Sequence, residues 1–179
     1  MTNEPNPTTV VYEHLDSVLP LINLSNSVEK LDVSCTKLRS LPKRLPMNLK
    51  ILDIQYTRIN SLPPLPIGLE KLYCGNTAIK ELPTKLPDTL IVLEISYTPI
   101  KSLPDPLPDG LQKLLCNYTN ISKLPDLLPS KLVSLQINGT SITRFPNVLP
   151  QTLQQIYCSS SQAYILKYVN KHKVFVINS

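Results

Sequence analysis

A motif of the form L-x-x-L-x-h-x-x-T-x-I-x-x-L-P, with h apolar, recurs along most of this chain, and no other feature limits its folding so strongly. Copies begin at Val28, Leu49, Leu69, Leu90, Leu111, Leu132 and Leu153, in steps of 21, 20, 21, 21, 21 and 21 residues. The second copy reads LKILDIQYTRINSLPPLPIG and the fourth LIVLEISYTPIKSLPDPLPDG; the seventh keeps only its front half, LQQIYCSSS. A fixed period of this length marks a solenoid, in which each repeat is one coil that contacts only its neighbours. One coil cannot bury its own apolar residues, but stacked coils bury each other's.

Counted from the first leucine, positions 1, 4 and 6 are predicted to point inward. Positions 4 and 6 (Leu52 and Ile54 in the second copy) share one face of a short strand, so positions 3, 5 and 7 are expected to face solvent. Position 11 (Leu38, Ile59, Ile79, Ile100, Ile121, Ile142) turns back into the core. Two Leu-Pro pairs follow, as in LPKRLPMN over 41–48, with Phe145-Pro146 replacing the first pair in the sixth copy. They account for most of the 18 prolines, which stand against only 4 glycines. Proline fixes φ and drives the preceding residue to extended geometry, so the return side of each coil is predicted extended or polyproline-like. The ~10 residues there hold no full α-helix. Seven strands ~4.8 Å apart would span roughly 30 Å. Position 9 is Thr36, Thr57, Thr77, Thr98, Thr119, Thr140 and Ser161. Buried polar groups must be hydrogen-bonded, so these hydroxyls are expected on backbone groups of their own or the next coil.

Residues 28 to about 161 resemble the leucine-rich-repeat family. The short coils with paired Leu-Pro are similar to those of secreted effectors of Gram-negative pathogens, and to repeat proteins of some large DNA viruses and amoebae. Those proteins usually carry Asn at position 9, where this chain has Thr. The resemblance implies a leucine-rich-repeat solenoid with short parallel strands on its concave face, an extended convex side, and little helix except in the caps. It also implies that the concave sheet binds a partner protein, as a host-directed effector or viral factor would. Some effectors add a ubiquitin-ligase domain with a catalytic cysteine. Only 159–179 follow the last cysteine here, so an enzyme of that type is not expected.

Odd and even copies differ. Position 6 is Cys74, Cys116 and Cys158 in copies three, five and seven, and Ile54, Ile95 and Ile137 in copies two, four and six. Position 3 is Lys30, Lys71 and Lys113 in the first three odd copies. Either a pair of coils was duplicated in tandem, or alternating large and small core residues interdigitate. The cysteines lie two coils apart, roughly 10 Å at strand spacing, which is too far for a disulfide. They are read as small buried hydrophobes, with Cys35 at position 8 more exposed.

Candidate function falls on the outward positions. Position 5 runs Asp32, Asp53, Tyr73, Glu94, Leu115, Gln136, Tyr157, and position 8 runs Cys35, Tyr56, Asn76, Tyr97, Tyr118, Gly139, Ser160. Five of the eight tyrosines thus share this surface: Tyr56, Tyr73, Tyr97, Tyr118 and Tyr157. Tyrosine gives large contact area at low entropic cost and is enriched at interfaces. With Asp53, Glu94 and Leu115 these five form the expected partner-binding site. The position 8 rings serve equally well as a column stacked coil on coil. The alternative function is a structural or self-assembling repeat without a dedicated ligand.

No glycine-rich phosphate loop, nucleophile with a nearby base, or cluster of metal ligands occurs, so neither catalysis, cofactor nor metal is expected. The +5 charge is spread through the chain among 13 acids, which argues against nucleic acid. No apolar run reaches the ~18 residues of a membrane span, and a small-molecule substrate is not expected either. The polar N-terminus lacks a signal-peptide pattern, so a cytoplasmic location is expected, host cytoplasm included. The chain divides into a tail and cap over 1–27, seven repeats over 28–161, and a C-terminal cap over 162–179. Thr9 to Leu19 and Gln162 to Asn170 read as helices, Leu19-Pro20 and Leu24 as an irregular first half-coil, and Val174 to Ile177 as a last strand.

Overall fold

The computed structural model describes residues 8–160, 162 and the backbone of 173–177. Nine strands form one parallel sheet in chain order. They are β1 (Thr8–Val11), β2 (Val28–Asp32), β3 (Ile51–Asp53), β4 (Lys71–Tyr73), β5 (Val92–Glu94), β6 (Lys113–Leu115), β7 (Ser134–Gln136), β8 (Gln155–Ser159) and β9 (Lys173–Ile177). From β2 to β8 the register never slips: Leu31, Leu52, Leu72, Leu93, Leu114, Leu135 and Ile156 stand side by side. Each motif position therefore becomes a physical column along the solenoid.

Positions 1, 4, 6 and 11 form the core as expected, all nearly inaccessible. Column 6 alternates Ile54, Cys74, Ile95, Cys116, Ile137 and Cys158, all buried. The thiols of Cys74 and Cys116 donate to the carbonyls of Glu94 and Gln136 in the next coil, at 3.3 and 3.2 Å. Burial pushes both thiols far above their ordinary value, so they stay protonated and unreactive.

Backbone ladders tie the coils together. Position 6 N–H groups donate to the position 5 carbonyl of the next coil, and position 2 N–H groups to the position 2 carbonyl of the preceding one. The second Leu-Pro pair has a further use. Its proline carbonyl accepts the N–H of the next position 1 leucine, from Pro46–Leu49 to Pro150–Leu153, at 3.0–3.2 Å. That turn hands the chain to the next coil. The threonine column works locally: each hydroxyl from Thr36 to Thr140 donates to the position 6 carbonyl three residues back, at 2.7–2.9 Å. It closes its own turn, and only the Thr140 hydroxyl among these also bridges coils, accepting from the Gln162 side chain at 3.0 Å. Ser161 lies outside the described residues.

One expectation at the N-terminal end fails. Thr8–Val11 is a strand paired with β2, not the start of a helix. Its Thr-Thr-Val-Val run is β-branched, which favours a pleated edge over a helix, and β2 offers that edge. A 3-10 turn follows at Leu19–Leu21. There Leu21 and Leu15 enter the core, whereas Leu19 of the Leu-Pro pair stands 71% exposed. Apart from Gln162, the helix expected over 162–170 lies outside the described residues. The Gln162 side chain is buried and bonds backbone groups of Ser159, Thr140 and Ile142, closing ladder positions that another coil would fill. No helix among the described residues is long and apolar enough to cross a membrane.

Candidate functional site

The strands of the central coils cover only positions 3 to 5. Position 7 therefore lies in the turn beyond the strand in these coils, not on the open sheet face, and Ser96 and Asn138 there are buried. The turn needs an acceptor for the position 7 N–H, and acids at position 5 supply it. Asp32 accepts from Ser34, Asp53 from Gln55, and Glu94 from Ser96, each at 3.1 Å. These acids, of which Asp53 and Glu94 belong to the expected binding site, thus also hold the local backbone.

Position 8 has a constraint that the sequence reading missed. Cys35, Tyr56, Asn76, Tyr97 and Tyr118 have φ between 52° and 58°, and Gly139 has φ of 66°. All six are in the left-handed region, where a residue with a side chain other than Asn or Asp costs roughly 1–2 kcal/mol. The geometry aims each N–H at the position 7 carbonyl of the next coil, from Cys35–Gln55 to Tyr118–Asn138, at 2.7–3.1 Å. A signal was present: Asn76 and Gly139 are the two residue types that tolerate this conformation best.

The tyrosines at this strained position stay open to solvent. Tyr56, Tyr97 and Tyr118 are 60%, 54% and 42% exposed. Tyr97 and Tyr118 stack, with ring centroids 4.7 Å apart and planes 18° from parallel. Asn138 donates to the Tyr118 hydroxyl at 3.0 Å, and the Tyr118 ring lies over Gly139 so closely that a Cβ there would meet it at 2.5 Å. Tyr56 is separated from this stack by the Asn76 coil.

In the sheet column, Asp53, Tyr73, Leu115 and Tyr157 are half-buried, so none of them stands fully open on the face. Glu94 is buried, at 8% exposure, because its carboxylate folds onto the turn at Ser96 and approaches Gly75, which has no side chain to exclude it. Desolvation raises Glu94 above its ordinary value of 4.5, with Asp53 adding repulsion. Asp53 is raised from 3.8, again chiefly by desolvation and then by Asp32. For such a group the folded state favours the protonated form. Its ionisation penalty is absent at low pH, grows as pH passes 4.5, and is complete above the raised folded value. Glu94→Gln keeps an acceptor for Ser96 and removes that penalty. Its melting temperature should match wild type near pH 4, exceed it increasingly as pH rises past 4.5 and then level off, as thermal melts from about pH 4 to 8 would show. A constant difference would refute this cause.

No protein-family model and no curated protein matches the sequence. Solved structures do. The chain is similar to a Shigella effector leucine-rich-repeat domain, with 26% identity and a TM-score of 0.69, over 92% of this chain and 81% of that one. It is similar to YopM from Yersinia enterocolitica, with 28% identity and a TM-score of 0.60, over 76% of this chain and 34% of that one. YopM from Yersinia pestis, a leucine-rich effector protein, superposes at a TM-score of 0.72 and 24% identity over 93% of this chain, which spans 49% of its length. The chain is a leucine-rich-repeat solenoid, with a fold similar to the repeat domains of these bacterial effectors.

Proposed function

We propose that this protein is a binding module, not an enzyme, and that it takes a partner protein on the sheet face and its adjoining turn column. The site comprises Tyr56, Tyr97 and Tyr118 with Asp53, Tyr73, Glu94, Leu115 and Tyr157. One observation carries this reading: three exposed tyrosines occupy backbone positions that strain any residue with a bulky side chain. Strain kept at an exposed site points to a use for the side chain. Nucleic acid, membrane and small molecules are not its ligands in this reading. The effector likeness supports a host protein as partner and host cytoplasm as the location.

The Tyr97–Tyr118 stack favours the second use of the column, a structural ladder. One variant separates the two. Tyr56→Asn, Tyr97→Asn and Tyr118→Asn together install the residue that Asn76 already shows to fit. If the rings serve binding, stability holds or rises, because Asn relieves the left-handed strain at each position. Proteins captured from host lysate by wild type are then lost, since a hot-spot aromatic contributes about 2 kcal/mol or more. Retained capture would remove the proposed site, and marked destabilisation would assign the column to the ladder.

A further inference from the structure

A second surface lies on the return side of the solenoid, where coil two is one residue short. Between its Leu-Pro pairs coil one carries Lys43-Arg44 and coil three Thr84-Lys85, but coil two has only Pro64. An open groove of about 1130 Å³ runs along this shortening, larger than the ~300–1,000 Å³ usual for small-molecule sites. Met47 and Ile67 line it at 70% and 89% exposure. Lone surface hydrophobes are ordinary, but the surroundings of these two are not.

The first peculiarity is charge. In coil three Lys85 pairs with Asp88 at 3.4 Å. The same two positions in coil one are Arg44 and Met47, so the cation is kept and its carboxylate is replaced by a thioether. Neither Arg44 nor Lys43 has an ion-pair partner among the described residues, while Lys50 beside them is neutralised by Glu29 at 3.2 Å. The rim is left net positive.

The second is the backbone. At two steps of this column a side-chain oxygen accepts the N–H of the equivalent residue in the next coil: Asn26 from Met47 at 3.0 Å, and Asp109 from Ser130 at 2.9 Å. Met47 and Ile67 offer no such oxygen, and the N–H of Ile67, which lines the groove, has no acceptor among the described residues.

We propose that this groove docks an extended acidic and apolar segment of a partner protein. A carboxylate of the segment lies on Arg44 as Asp88 lies on Lys85. An apolar side chain packs against Met47 and Ile67, and an oxygen of the segment takes the free N–H of Ile67. The groove acts independently of the tyrosine face.

The probe is a blocked hexapeptide of alternating glutamate and leucine, titrated into the isotope-labelled full chain and followed by amide shifts. A lysine-leucine hexapeptide and vesicles of phosphatidylserine and phosphatidylcholine serve as comparisons. The acidic peptide should shift the Ile67 amide, more weakly as salt rises. Met47→Asp gives Arg44 its own carboxylate, as in coil three, and should weaken binding about tenfold or more without loss of fold; Arg44→Glu should do the same. The tyrosine-to-asparagine triple variant should bind like wild type. Equal binding of the basic peptide, a preference for vesicles, undiminished affinity in Met47→Asp, or failure of the acidic peptide to shift Ile67 each overturns the proposal.

Discussion

Replacing Leu93 by alanine should cost about 2–5 kcal/mol of folding free energy, the range for emptying a buried leucine site that cannot collapse. Leu93 is fully buried in β5 and stands in register between Leu72 and Leu114. Its side chain fills space shared by three coils, and a solenoid has no contacts beyond nearest neighbours with which to compensate. The fourth of seven coils is also where a defect separates two halves of comparable size. The urea transition should therefore broaden as well as move to lower denaturant, because cooperativity passes through that coil. Ile67→Ala provides the contrast: at 89% exposure it should stay within about 0.5 kcal/mol of wild type. Urea titrations followed by circular dichroism measure both. A Leu93→Ala loss below about 1 kcal/mol would mean that neighbouring coils close the cavity, against the rigid stacking described above.

Gly139→Val is the second large effect, and it reaches the candidate site. At φ of 66° a β-branched residue is strained, by about 2 kcal/mol or somewhat more. The new Cβ would also meet the Tyr118 ring at 2.5 Å. Because Tyr118 is 42% exposed, its ring can swing outward, so the collision is relieved by movement. That movement breaks the hydrogen bond from Asn138 and the stack on Tyr97. The variant should lose stability and also change the near-ultraviolet circular dichroism of its tyrosines. Gly139→Asn separates the two causes: Asn tolerates the backbone but still carries a Cβ. It should disturb the tyrosine signal as much as valine while costing less stability. An unchanged tyrosine signal in both variants would contradict the close packing of Tyr118 on Gly139.

The sequence alone determined the solenoid. A period of 21 residues with apolar positions 1, 4, 6 and 11 has one economical solution, in which coils stack and every motif position becomes a column. The proline pairs excluded a helical return side because proline lacks a donor and fixes φ. The buried cysteines followed from their column and their two-coil separation. The β1 strand was not legible, since TVVYEHLDSVL carries a plausible helical pattern. Its strand state depends on an open β2 edge that exists only after the coils have stacked.

The candidate site was legible as a list of residues but not as a geometry. The sequence placed tyrosines in columns 5 and 8. Only the tertiary structure decided that column 8 is left-handed, because each coil's N–H must reach the carbonyl of the next. It also turned Glu94 from a surface charge into a buried acceptor, since Gly75 leaves room for its carboxylate. The groove beside Arg44 likewise arises only in the folded chain. A one-residue deletion is visible in the sequence, but which side chains it leaves exposed depends on how three stacked coils close around the gap.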